Sequence, residues 1–276
     1  MATKQKLTLV IGGNGKTGRR VGQRLTERGL PIRIGSRSGE PPFDWNTPAT
    51  WEPALRGVES AYLAYYPDLA IPGAADTVAE VARLAVTNGV RRIVLLSGRG
   101  EKGALLGEQA VRDSGAEWTL LRSSWFNQNF SEGFFLDQVR SGEVALPAGD
   151  VKEPFVDADD IADLAVAALT EDGHAGKLYE LTGPRLLTFA EAVDEIAQAA
   201  RRKIRYAQIS IEQYASMLAE YQVPTDFLWL VRYLFTEVLD GRNAHLTDGI
   251  QRALGRPPRD LAEFARRSAS TGVWNA

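Results

Sequence analysis

Three glycines, Gly12, Gly15 and Gly18, stand three residues apart directly after the apolar run Leu7–Ile11. Glycine permits a sharp turn and keeps Cβ atoms away from a ligand. A helix that starts there turns backbone N–H groups and its positive dipole end toward an anion. The stretch Gly12-Gly13-Asn14-Gly15-Lys16-Thr17-Gly18 therefore has the makings of a pyrophosphate cradle. Gly12 would make the turn, Gly15 the close approach and Gly18 the tight contact of helix on strand. Asn14, Lys16 and Thr17 can add donors. Gly12, Gly15 and Gly18 follow the spacing GxxGxxG, which is not a Walker loop, and a purely structural glycine turn is the competing reading. Its place between a strand pattern and a helix pattern favours a dinucleotide.

A second strand pattern follows, and at its end stand Ser36, Arg37 and Ser38. A chain that binds NAD usually carries an acid there for the ribose hydroxyls, whereas a 2′-phosphate needs a cation. Arg37 flanked by two hydroxyls fits the phosphate, so the expected cofactor is NADP(H). An exposed arginine in a turn is the alternative. Asp44 and Trp45 fall where an adenine edge would lie, and suit a turn acid and a core indole equally well.

In open parallel sheets ligands lie beyond the carboxyl ends of the strands. Ala64, Tyr65 and Tyr66 close one strand pattern, and Ser97 and Gly98 the next. Ser123 closes another, followed by Ser124, Trp125, Phe126 and Asn127. These residues would line a cofactor from adenosine to nicotinamide. Trp125 and Phe126 would form an apolar wall, while Asn127 and Ser97 would bond a carboxamide or ribose. Ordinary packing explains the two aromatics nearly as well.

The elements that must position these residues alternate. Strand patterns at Leu7–Ile11, Pro31–Ile34, Ser60–Tyr66, Arg91–Ser97 and Glu117–Ser123 are separated by helical ones, with Phe43–Trp45 as a further short strand. Such alternation predicts an α/β fold, a parallel sheet with helices on both faces. Beyond Phe126 helical patterns dominate: Ile161–Thr170, Phe189–Arg202, Ile211–Tyr221, Phe227–Leu239 and Asp260–Arg267. Short strands are expected near Pro154–Val156, Leu178–Leu181 and Ile204–Ala207. This half is expected to cap one edge of the sheet. In it, Phe227, Trp229, Leu230, Tyr233 and Leu234 make a helix apolar on nearly every side, suited to a core, a dimer interface or a flat ligand. His174 is expected to be an exposed loop residue. Asp157 or Ala158 is expected to cap the helix beginning near Asp159, with Asp159 and Asp160 in its first turn.

Composition narrows the classes. The 276 residues suit one large domain or a large and a small one, and the 44% apolar share fills a real core. Thirty-two basic and 35 acidic residues give a net charge of −3, so no nucleic-acid or membrane partner is expected. There is no cysteine, so no disulfide frame and no thiolate, and no metal site is expected from two distant histidines. No apolar stretch approaches the roughly 20 residues of a membrane span. With no signal peptide visible, a cytoplasmic protein is expected.

The stretches VIGGNGKTGRRV, GVRRIVLLS, SGAEWTLLRSSWFNQNF, EPFVDADDIADLAVAAL and YELTGPRLLTFAEAVDEIAQAARRKI together resemble the NmrA-like atypical short-chain dehydrogenases/reductases. Within that family GGNGKTG, WFNQNFSE and ALGRPPRDLAEFA look most like the clavine dehydrogenases of ergot-alkaloid synthesis. The resemblance implies a doubly wound Rossmann sheet of strand order 3-2-1-4-5-6 with a smaller α/β C-terminal substrate-binding domain. Its bounds would be residues 1–126 plus about 150–183 for the NAD(P)-binding domain, and about 127–149 and 184–276 for the substrate domain. The family also includes azo-dye, quinone and triphenylmethane-dye reductases, and NADP(H)-binding redox sensors that catalyse nothing.

Ordinary short-chain dehydrogenases protonate a carbonyl with a Tyr-x-x-x-Lys pair. No tyrosine here is followed four residues later by lysine, and Gly100 and Ala104 occupy those positions in register with the family. A neutral ketone needs an acid during hydride transfer; an iminium does not, and a quinone or azo group is already electron-poor. The expected activity is therefore NADPH-dependent hydride transfer to a planar aromatic or conjugated small molecule of iminium, azo or quinone type, by a monomer or homodimer. Tyr65, Trp125, Asn127 and Tyr233 are candidates for the reacting site, and Tyr214 is a further possible proton donor. A non-catalytic NADP(H) sensor of the NmrA type is the alternative.

Overall fold

The computed structural model describes residues 6–220 and 222–275. The first elements are β1 (Leu7–Ile11), α1 (Gly18–Glu27) and β2 (Ile32–Gly35). A short 3-10 turn, Pro48–Thr50, leads into α2 (Trp51–Leu55), followed by β3 (Val58–Leu63) and α3 (Ala74–Thr87). Then come β4 (Arg92–Gly98), α4 (Lys102–Asp113) and β5 (Glu117–Ser123). The remainder comprises α5 (Asn129–Glu132), α6 (Leu136–Ser141), β6 (Glu143–Leu146), α7 (Ala158–Thr170), β7 (Lys177–Leu181), α8 (Phe189–Ala200) and β8 (Arg205–Gln208). Four more helices close the chain: α9 (Ile211–Glu220), α10 (Thr225–Tyr233), α11 (Gly249–Leu254) and α12 (Leu261–Ser270). A π-turn over Leu234–Val238 continues α10.

Six strands form one sheet in the order β2-β1-β3-β4-β5-β7. The pairings β1–β2, β1–β3, β3–β4 and β4–β5 are parallel. Buried on both faces, the middle strands read as unbroken apolar runs, as in Leu9-Val10-Ile11 and Ile93-Val94-Leu95, all without exposed surface. The second sheet is the parallel pair β6–β8.

The chain divides into two compact units. One comprises the chain through Ser123, Ala158–Glu180 and Arg252–Gly255; the other comprises Ser124–Asp157, Leu181–Gln251 and the chain from Arg256 onward. In the first unit α3 and α4 press Val78, Val81, Ala104 and Val111 onto Leu9, Ile93 and Leu95. On α1, Arg20 and Arg24 reach Asp159 of α7 at 3.2 and 2.7 Å, and Arg24 reaches Asp163 at 2.6 Å. The second unit has its own core, built on Phe130, Phe135, Phe189 and Trp274. Arg185 forks there between Asp260 and Glu195 at 2.6 and 2.8 Å. Among the described residues no helix is long and apolar enough to cross a membrane.

Several expectations need correction. Phe43–Trp45 is not a strand. Pro41 and Pro42 just before it lack N–H donors, and its side chains turn inward to the core instead of pairing an edge. The sheet therefore ends at β2, and the outermost strand of the order 3-2-1-4-5-6 is missing. Pro154–Val156 forms only isolated bridges, Glu153 to Leu187 and Phe126 to Val156. His174 is not exposed but buried, its Nδ1 at 3.0 Å from the Tyr179 hydroxyl. The helix expected over Ile211–Tyr221 runs to Glu220, and Tyr221 lies outside the described residues.

Candidate functional site

The glycine turn sits at the carboxyl end of β1. Gly12 adopts φ of +74°, a conformation that side chains resist, and its N–H bonds the carbonyl of Gly35 at 3.0 Å. A Cβ at Gly18 would fall 2.2 Å from the Gly12 carbonyl oxygen, so only glycine lets α1 start this close to the strand. At Gly13 a Cβ would strike Ile34 at 2.7 Å. By contrast a Cβ at Gly15 would meet only the Gly12 oxygen, at 3.1 Å, and Asn14 and Gly15 face solvent. Thr17 is buried and its Oγ accepts from the Tyr62 hydroxyl at 2.9 Å. Its side chain faces the sheet rather than the open side of the turn.

The β2 end lies beside this turn, because Ile11 and Gly35 are register partners. Residues Ser36 to Gly39 form a tight turn, closed by the Gly39 N–H on the Ser36 carbonyl at 3.0 Å. Arg37 stands exposed at its tip and pairs with no acid among the described residues. The hydroxyls of Ser36 and Ser38 lie 3.4 Å apart. A free guanidinium flanked by two hydroxyls, beside a helix N-terminus, is a ready site for a phosphate monoester.

Asp44 and Trp45 do structural work. The Asp44 carboxylate accepts from the Asn46 N–H at 3.0 Å, and its carbonyl accepts from the Trp51 indole at 2.8 Å. Trp45 is buried, its indole N–H on the Ala64 carbonyl at 3.3 Å and its ring 4.8 Å from that of Tyr65. Burial raises the Tyr65 hydroxyl above its ordinary pKa, and its hydrogen bond to Thr77 works against this. Tyr66 is 75% exposed.

At the end of β4 the Ser97 hydroxyl donates to Glu108 at 2.8 Å, and Arg122 clamps the same carboxylate with two bonds of 2.6 Å. Gly98 pairs in register with Ser123, whose hydroxyl is buried without a partner. Gly100 turns at φ +74° and Ala104 is fully buried in the core. Neither position offers a proton. Two further acids meet at this place, Asp68 and Glu101. Their carboxyls hydrogen-bond each other, and burial foremost raises the pKa of both. Neither belongs to a motif, and they meet only because the β3 end and the start of α4 adjoin.

The remaining candidates lie in the second unit. Trp125 sits among Phe135, Phe189 and Phe235 at ring distances of 6.4, 5.2 and 5.1 Å. Phe126 bridges to Val156, and Asn127 is fully buried with both side-chain polar atoms unpaired. Asp157 is fully buried too, accepting from Gln128 at 2.7 Å and from Arg267 at 2.5 Å. Tyr214 is buried against Phe235, which pushes its pKa up to about 12. Tyr233 stacks on the half-exposed Trp229 at 5.1 Å, and Phe134 meets Phe227 at 4.7 Å. Among the described residues no cluster of His, Asp or Glu could hold a metal ion.

Comparison with known proteins gives close relatives along the whole chain, although no family model matches it. The oxidoreductase YesF of Bacillus subtilis is 33% identical, over 98% of this chain and 99% of its own. The NAD(P)H azoreductase of Xenophilus azovorans is 30% identical, over 96% and 98%. The agroclavine dehydrogenase of Claviceps fusiformis is 31% identical, over 96% and 98%. Among solved structures, triphenylmethane reductase of Citrobacter sp. complexed with NADP(H) superposes with a TM-score of 0.73 at 21% identity, covering 95% of this chain and 99% of that one, which shows a shared fold. Sequence kinship over nearly the full length, on a sheet wound in this way, places the chain in the NmrA-like atypical short-chain dehydrogenase/reductase family.

Proposed function

We propose that this chain transfers hydride from NADPH to flat, electron-poor organic molecules of the iminium, azo or quinone type. It is an NAD(P)H-dependent reductase, and NADP(H) is its cofactor. The residues fit that group. The open side of the Gly12–Gly18 turn is where a Cβ-free backbone would receive the pyrophosphate, with the α1 dipole behind it. Arg37, with Ser36 and Ser38, would hold the 2′-phosphate. The ends of β3, β4 and β5 would carry the ribose and nicotinamide, through Ala64, Tyr65, Ser97, Gly98 and Ser123.

When bound, the cofactor supplies a hydride from its nicotinamide ring. The protein's part would be placement: the carboxyl ends of β3, β4 and β5 would orient the ring and exclude competing geometries. An iminium needs nothing resembling a Tyr-Lys dyad, because hydride alone neutralises it. The azo and clavine names among the relatives support this acceptor class. The second unit, taken alone, offers the stacked Trp229 and Tyr233 and the Phe134–Phe227 pair, surfaces suited to flat ligands.

The observation that carries the reading is the unpaired Arg37 beside the glycine turn. The test is NADPH oxidation measured with one compound of each acceptor class. Turnover of at least one class is expected. Tight cofactor binding with no turnover of any would favour a redox sensor instead.

A further inference from the structure

The Tyr-x-x-x-Lys pair of ordinary short-chain dehydrogenases has no counterpart in this chain, where Gly100 and Ala104 offer no proton, yet quinone and azo reductions each consume one. We propose that Glu101, sharing one proton with Asp68, is the proton donor for acceptors that need one. This deepens, and rests on, the reductase reading above.

The placement comes first. Glu101 follows Gly100 and is the N-cap of α4. Its carboxyl lies directly over Gly98, the last residue of β4. A Cβ there would fall 2.0–2.2 Å from the Glu101 carboxyl atoms, so the space is available only because residue 98 is glycine. Gly98 and Ser123 are register partners, and register partners in a parallel sheet direct their side chains to the same face. The Ser123 hydroxyl, on a residue 6% exposed, therefore points to the face that holds the carboxyl, and it has no partner. A buried hydroxyl left open beside a buried acid calls for a polar ligand atom. The place is also right: two strands from the glycine turn, about 10 Å, at the carboxyl end of the sheet.

The chemistry follows from the pairing. Two carboxyls can hydrogen-bond each other only if one keeps its proton. Glu101 is 8% exposed, and burial, then the Asp68 charge, raises its pKa well above the ordinary range. Glu108 adds a smaller push in the same direction, tempered by its clamp to Arg122. Asp68 is half-buried and accepts the Ala70 N–H at 2.8 Å, so the pair's outer member can exchange protons with solvent. Gly103, with a Cβ position 2.5 Å from the Ala70 carbonyl, lets α4 close onto this loop. Once the proton leaves, the new negative charge lies at the N-terminus of α4, which favours it.

For a quinone the balance is simple. The hydride brings two electrons to the acceptor, the Glu101 O–H bond breaks, and its proton goes to the acceptor oxygen to complete the hydroquinone. The pair then takes a proton back from water through Asp68. An iminium takes only the hydride and leaves the pair untouched.

The test compares wild type, Glu101→Gln and Asp68→Asn. Quinone turnover should fall about 100-fold or more in Glu101→Gln, the range for loss of a general acid. Iminium turnover and NADPH affinity should stay within about twofold of wild type. Independently of activity, infrared spectra of the cofactor-free protein at neutral pH should show a protonated carboxyl in wild type that is lost in Glu101→Gln and kept in Asp68→Asn, where Glu101 stays buried. Equal losses on both acceptors, no loss on the quinone, or no protonated carboxyl in wild type would each overturn the proposal while sparing the reductase reading. A wild-type protein that reduces neither acceptor would overturn that reading and the proposal with it.

Discussion

Arg37→Ala is expected to weaken NADPH binding and leave NADH binding as it was. Arg37 is exposed, at the tip of the Ser36–Gly39 turn, and pairs with no acid among the described residues. Its truncation therefore breaks no internal contact and opens no cavity, and the whole effect falls on the phosphate it would hold. Hydrogen bonds to charged groups contribute about 1.5–3 kcal/mol. At about 1.4 kcal/mol per tenfold, the Kd for NADPH should rise about 10- to 150-fold. Because the group is exposed, physiological salt should hold the effect to the lower part of that range, and added salt should shrink it further. Calorimetric titration of both cofactors at low and high salt reads these quantities, with melting curves alongside. The melting temperature should move by no more than about 2 °C. An unchanged NADPH-to-NADH preference would remove Arg37 from this role, and an equal loss for both cofactors would place it on some other part of the molecule.

Gly18→Ala would put a Cβ 2.2 Å from the Gly12 oxygen and 2.7 Å from its carbonyl carbon, both backbone, so the turn itself must open. A loss of about 1–3 kcal/mol in urea unfolding is expected, with NADPH and NADH weakened alike, unlike the Arg37 variant. Full stability with full affinity would show that the turn tolerates the shift. His174 should give the unfolding curve a pH dependence. Burial foremost lowers its pKa, with Glu171 raising it and Arg92 lowering it further. The folded chain then binds fewer protons than the unfolded one near and below the ordinary histidine value of about 6.5. Its contribution to stability is complete above that pH and is lost as the pH falls through the lower, folded value. The urea midpoint of wild type should therefore drop more than that of His174→Gln between about pH 7.5 and about pH 5. Parallel curves would mean that His174 titrates alike in both states.

The alternation of strands and helices was legible in the sequence because each signal is local. Leu7–Ile11, apolar but for Thr8, and Ile93–Leu96 are runs of strand length, and Gly29 and Gly89 stop helices within reach of the residues that form them. The turn at Gly12 and the tight contact at Gly18 were equally legible, since backbone sterics over seven residues dictate both. So was the basic turn after β2, because the end of a strand next to β1 needs no distant partner to be located. Where a neighbour far along the chain decides, the sequence alone was silent or misleading. Phe43–Trp45 has strand composition, but its rings find Ala64, Tyr65 and the core before any edge can pair. The β6–β8 pair joins segments about sixty residues apart, and β6 gave no signal of its own. His174 reads as a loop residue until Tyr179 and the sheet close over it. Asp68 and Glu101 are ordinary surface acids in the sequence, 33 positions apart. Only the meeting of a strand end with a helix start brings the two carboxyls together, and the burial that comes with it raises the pKa of both.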